Sequence, residues 1–65
     1  RARVPSAVRR AQLIEAARRV FADAGYDGAS TAAIADAADC AETVLYRHFP
    51  SKIILLREVL AAIRV

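Results

Sequence analysis

Side chains able to do covalent or metal chemistry are few in this chain. It holds one cysteine, Cys40, and one histidine, His48. That pair cannot supply a zinc ligand set, and a lone histidine without triad partners leaves no nucleophilic arrangement. No enzyme, cofactor or metal is therefore expected, and Cys40 reads as a small buried hydrophobe. What the chain offers instead are groups suited to a polyanion. Arg1 and Arg3 lie on a short arm closed by Pro5, and such arginines can enter a minor groove, where narrow A·T tracts concentrate negative potential. Ser30 and Thr31 open a candidate helix, where hydroxyls and free backbone N–H groups can hold a phosphate. Lys52 stands at a helix start, where its charge opposes the dipole and suits a phosphate better than the helix.

The charge of the chain is unevenly laid out. Its formal net value is +3, yet residues 1–19 carry +5, residues 20–46 carry −5 and residues 47–65 carry +3. Any polyanion contact must draw mainly on the two ends. With 65 residues, the chain makes at most one small domain with a marginal core and no enclosed pocket for a drug-sized ligand. No apolar run approaches the roughly 18 residues of a membrane span, and residues 1–10 lack the apolar segment of a signal peptide. A single cysteine fits a reducing compartment.

Four helical signals position these groups. Residues 1–5 read as a flexible basic arm. Ser6 is a candidate N-cap for a helix over residues 6–24, whose stripe is Leu13, Ile14, Ala17, Val20, Phe21 and Ala24. Gly25 stops that helix by taking a positive φ, and Tyr26 folds back on its last turn. Ser30 caps a second, short helix over residues 31–38, with Ile34, Ala35 and Ala38 as its apolar edge. A third runs over residues 42–49, ended by Pro50, with Leu45 and Phe49 spaced four apart. Ser51 caps a fourth, with a stripe of Leu56, Val59, Leu60 and Ile63. Leu13, Phe21, Ile34, Leu45 and Phe49 are the expected core. Two short helices joined by a tight turn and held against a longer one fit a helix-turn-helix unit. Pattern alone leaves an ordinary helical bundle equally open.

The residues themselves narrow this choice. Phe21, Gly25 and Tyr26, then Ser30, Ile34, Ala35 and Ala38, then Leu45, Tyr46, His48, Phe49, Ser51 and Lys52 resemble the N-terminal domain of TetR-type (tetracycline-repressor-like) transcriptional regulators. The resemblance runs from about residue 9 to residue 60. It implies an all-α, homeodomain-like three-helix bundle over residues 6–50, with residues 51–65 starting a connecting fourth helix. That helix would lead to a C-terminal domain, absent here, that binds a small-molecule effector and forms a homodimer. The implied function is sequence-specific binding of a double-stranded DNA operator, as a repressor, in the bacterial cytoplasm and on the nucleoid when DNA-bound.

The resemblance also distributes roles. Ala41, Glu42, Thr43 and Val44 fall where the family reads bases. Glu42 can accept from a cytosine amino group, Thr43 can bond a base edge and Val44 can pack on a thymine methyl. A carboxylate near a helix N-terminus is also favoured by the dipole alone. Tyr46, His48 and Lys52 fall at phosphate-clamping positions, and His48 can equally pack its ring beside Phe49. Several residues depart from the family pattern. Asp39 stands for the turn glycine, Ala41 for a capping serine or threonine, Thr43 for a glycine that lets the helix approach DNA, and Ile53 and Ile54 for glutamates. With the acidic middle segment, these departures support a second reading, a protein-interaction module that has lost DNA binding. Membrane-surface association through residues 53–65 is disfavoured, because core and dimer packing account for that stripe.

Overall fold

The computed structural model describes residues 4–63. Arg1 and Arg3 of the expected arm lie outside the described residues. Four helices follow in order: α1 (Ser6–Gly28), α2 (Thr31–Ala37), α3 (Glu42–His48) and α4 (Lys52–Ile63). α1 is the long support, with α2 and α4 packed against it and α3 packed against α2.

Pro5, not Ser6, occupies the N-cap of α1, and no side chain caps that end. The proline's own φ of −58° with ψ 148° makes the entry turn, and its missing N–H costs nothing there, where no helical partner exists. Ser6 is then simply the first helical residue. Regular geometry stops at Gly25 (φ 77°, ψ 169°), a region essentially reserved for glycine. One further turn follows as far as Gly28, closed by Ala29 N–H donating to the carbonyls of Gly25 (3.0 Å) and Tyr26 (3.3 Å). Tyr26 folds back as expected, its ring stacked on Phe21 at 5.8 Å between centroids.

The core is built from Leu13, Ala16 and Ala17 of α1, Ile34 and Ala35 of α2, Ala38, Leu45, Phe49, and Leu55 and Val59 of α4. Five of these, Phe49, Leu13, Ile34, Leu45 and Leu55, are the largest fully buried side chains, each worth about 1.5–3 kcal/mol of transfer free energy. Alanines carry much of the rest, so α1 and α2 meet through small side chains. Phe21, expected in the core, is half-buried at its edge, packed against the core on one side and stacked with Tyr26. Ala24 is exposed, and Ala16 takes the buried position instead.

The apolar register of α4 also differs from expectation. Leu55 and Val59 are buried, Leu56 is half-buried, and Leu60 and Ile63 remain 54% and 53% exposed. Residues 53–56 are all apolar, so periodicity alone cannot choose the buried face. Contacts from elsewhere accompany the seat that α4 takes. Arg10 donates to Glu58 at 2.8 Å, and its guanidinium lies 5.2 Å over the Phe49 ring. Ser51 caps the helix as expected, its Oγ accepting from the Ile54 N–H. A second ion pair, Arg18–Glu15 at 2.7 Å, lies within α1. Its hydrogen bond holds the Glu15 carboxyl below its ordinary value, but both side chains are exposed and such pairs add little stability.

The α2–α3 turn follows a Schellman pattern. Asp39 adopts φ 59°, Asp39 N–H donates to Asp36 O and Cys40 N–H donates to Ala35 O, both at 3.0 Å. Those are the two bonds that close a helix whose C′ residue is left-handed. Aspartate thus takes the glycine position as expected. Cys40 is half-buried against the core, matching the hydrophobic contact that accompanies this motif. Arg9 braces the turn from α1, donating at 3.1 Å to Ala38 O and at 3.1 Å to Gln12 Oε1.

Candidate nucleic-acid interface

One side of the molecule gathers most of the singled-out residues. Ser30 caps α2 by accepting from Ala33 N–H at 3.0 Å. The next residue, Thr31, reaches across to α3. Its Oγ1 donates to Glu42 Oε2 at 2.5 Å and lies 2.9 Å from the Tyr46 hydroxyl. An ionised carboxylate only accepts, so the Thr31 proton belongs to Glu42 and Tyr46 is the donor to Thr31. Three residues from two helices are thereby joined in one hydrogen-bonded chain, Tyr46 to Thr31 to Glu42. They are four apart on α3 and eleven or fifteen apart across the turn, so the fold alone brings them together.

The outer surface of α3 follows from its helical spacing. Leu45 is buried, Val44 and His48 are half-buried, and Glu42, Thr43, Tyr46 and Arg47 are exposed. Thr43 and Arg47, four apart, share one face, as do Glu42 and Tyr46. Arg47 was not singled out from the sequence, although its spacing from Thr43 was a usable signal. Neither ion pair among the described residues engages it. Ala41 occupies the α3 N-cap with no side-chain bond. Its carbonyl accepts from Val44 (3.0 Å) and Leu45 (3.3 Å), so the first turn is held by backbone alone.

His48 and Lys52 sit at the edges of this surface. The His48 ring is 6.2 Å from that of Phe49, tilted by 39°, which is the packing alternative set out above. Lys52 is committed internally. Its Nζ donates to Tyr26 O at 2.8 Å and Ala29 O at 3.0 Å, and lies 4.3 Å from the Tyr26 ring centroid. The cation at the start of α4 therefore serves the end of α1, a role that helix-dipole reasoning missed because its partners lie 23 and 26 residues away. It still stands next to Ser30 through Ala29. Among the described residues no group of three or more His, Cys, Asp or Glu side chains could hold a metal ion. No described helix is long and apolar enough to cross a membrane. An open groove between α1 and the end of α2, lined by Val8, Gln12, Arg19, Ala37 and Asp39 among others, contains none of the candidate residues.

Two short helices joined by a tight turn, braced on a longer helix and presenting α3 outward, define a helix-turn-helix protein. The chain belongs to the tetR family of bacterial regulatory proteins, whose family model matches residues 13–59. It is 48% identical over 58 residues to the HTH-type transcriptional activator FasR of Mycolicibacterium smegmatis, covering 89% of this chain and 26% of FasR. It is 42% identical over 48 residues to the HTH-type transcriptional repressor KstR of Mycobacterium tuberculosis, covering 74% of this chain and 22% of that protein. KstR of Rhodococcus jostii is 40% identical over 53 residues, covering 82% of this chain and 25% of that protein. The chain thus spans about a quarter of the length of the curated relatives it matches. These relatives are named as regulators of transcription, not as enzymes.

Proposed function

We propose that this domain binds double-stranded DNA in a sequence-dependent manner, as the head of a dimeric, effector-responsive transcriptional regulator. The observation that carries the reading is the Tyr46–Thr31–Glu42 chain, which fixes the start of α2 beside an α3 that exposes Thr43 and Arg47 next to it. In a major groove, Ala41, Glu42, Thr43 and Val44 would meet base edges, with Arg47 beside them. Ser30, Thr31, Tyr46 and His48 would contact backbone phosphates. Lys52 would add positive charge there while keeping its two carbonyls. Arg1 and Arg3 would enter the neighbouring minor groove.

Dimerisation and effector response belong, in this proposal, to sequence beyond residues 51–65, where a homodimer would set two heads one helical turn apart, about 34–36 Å. An effector would act by changing that separation. A repressor acts by occupying its operator, and KstR is named as one, whereas FasR is named as an activator. The same head serves either outcome, so the repressor assignment draws its support from the KstR likeness. The cytoplasm, on the nucleoid when DNA-bound, is the compartment that this function requires.

The test is a salt titration of duplex-DNA binding by the protein at its full natural length. Log K is expected to fall with log salt by about 0.9 per phosphate neutralised. Arg47→Ala should lower that slope by about 1 if Arg47 meets a phosphate. Tyr46→Phe should weaken binding by roughly 2- to 10-fold through one lost hydrogen bond. Undetectable or salt-insensitive binding would reject DNA recognition and favour the protein-interaction module, which the acidic middle segment supports.

A further inference from the structure

In the free domain, the groups proposed to grip a DNA phosphate are already occupied. The Thr31 hydroxyl has one proton and gives it to Glu42. The Tyr46 hydroxyl has one proton and gives it to Thr31. Neither can donate to an incoming phosphate without releasing its present acceptor. Neither ion pair among the described residues engages Glu42, so an arriving phosphate would meet a carboxylate that no described cation neutralises. Glu42 is also the first residue of α3 and is exposed, at the position proposed to face a base.

We infer that the Glu42 carboxylate, by holding the Thr31 proton while Tyr46 donates to the same hydroxyl, acts as an internal stand-in for a DNA phosphate at Thr31, and that this competition makes Glu42 a specificity-determining residue. The inference rests on the DNA-binding reading above. A phosphate that captures the two hydroxyls frees the carboxylate, which then needs a new donor. Where the facing base pair presents a cytosine amino group, the carboxylate gains one. On other sequences it is left beside a phosphate with no donor, and that complex is penalised. Engagement of the backbone and reading of the base are then a single exchange of hydrogen bonds.

The experiment measures binding of mixed-sequence duplex DNA by the full-length protein, with Glu42→Ala in two backgrounds. One is otherwise unaltered, and the other carries Thr31→Val with Tyr46→Phe. In the first, Glu42→Ala is expected to tighten binding by roughly 3- to 10-fold, the value of one exposed charge-assisted hydrogen bond and a removed like charge. In the second the gain should shrink to about twofold or less, since the Thr31 hydroxyl competed for and the Tyr46 hydroxyl bonded to it are gone. Glu42→Gln keeps a helix-compatible side chain and a neutral acceptor, and should fall between wild type and Glu42→Ala. Circular dichroism of each variant confirms the fold, and the Gln variant carries the comparison if Ala disturbs α3. An equal gain in both backgrounds would reduce Glu42 to a simple repulsive charge and overturn the inference. Weaker binding by Glu42→Ala would overturn it as well. Those results leave DNA binding itself intact, whereas failure of the unaltered protein to bind duplex DNA rejects both readings together.

Discussion

The two junctions that flank α2 are built to different standards. Between α1 and α2 every awkward group has a suited partner. Glycine takes the φ of 77°, Ser30 caps the new helix, and Lys52 closes over the carbonyls of Tyr26 and Ala29. Between α2 and α3, an aspartate holds φ 59° and an alanine sits at an N-cap with no side chain to offer. The first junction places a suited residue at each of these positions. The second tolerates about 1–2 kcal/mol of avoidable cost. It adjoins the outward face of α3, so residue choice there answers to something besides stability.

Substitutions can test that contrast. The largest effect is expected from Gly25→Ala, which should destabilise by about 1–3 kcal/mol in denaturant unfolding. A Cβ at Gly25 would meet nothing within 4 Å, so the penalty would come from the backbone alone. Unchanged stability would mean that the first junction is less constrained than its geometry implies. Lys52→Met keeps the aliphatic stem and removes the ammonium. Thermal unfolding should register a loss of about 1–2 kcal/mol, from two charge-assisted bonds and the contact with Tyr26. A neutral result would return Lys52 to a role on DNA only. At the second junction the sign should reverse. Ala41→Ser is expected to stabilise by about 1 kcal/mol, and Asp39→Gly by about 0.5–1 kcal/mol because glycine takes positive φ without strain. If both prove neutral or harmful, the second junction is as well fitted as the first and the contrast disappears.

The legible features were the local ones. Gly25 at positive φ, Ser30 and Ser51 as caps, and the order of four helices follow from residue chemistry within a few positions, while the positive φ of Asp39 follows from the resemblance, which places it where the family has a turn glycine. Tertiary contacts decided what was missed. Lys52 was read from the resemblance and from the dipole of its own helix, and neither signals the carbonyls of Tyr26 and Ala29, more than twenty residues earlier, to which it also donates. The seat of α4 could not be read from four consecutive apolar residues. Ser6 lost the cap position because the preceding proline already made the turn. At the candidate interface the residues were nameable, but their hydrogen-bonded chain was not. The i, i+4 spacing places Glu42 and Tyr46 side by side on α3, but nothing in it announces that Thr31 of α2 joins them.

The alanines between α1 and α2 bear on how such a domain can change over time. Ala16, Ala17, Ala35 and Ala38 are at most 8% exposed, and a larger side chain at any of them would overpack the contact at a cost of about 1–3 kcal/mol. A domain this small has little stability to lose. Viable substitutions are therefore channelled to exposed positions, among them Thr43, Tyr46 and Arg47 on the outer face of α3. The packing that keeps the scaffold from drifting leaves that face free to acquire new preferences one residue at a time.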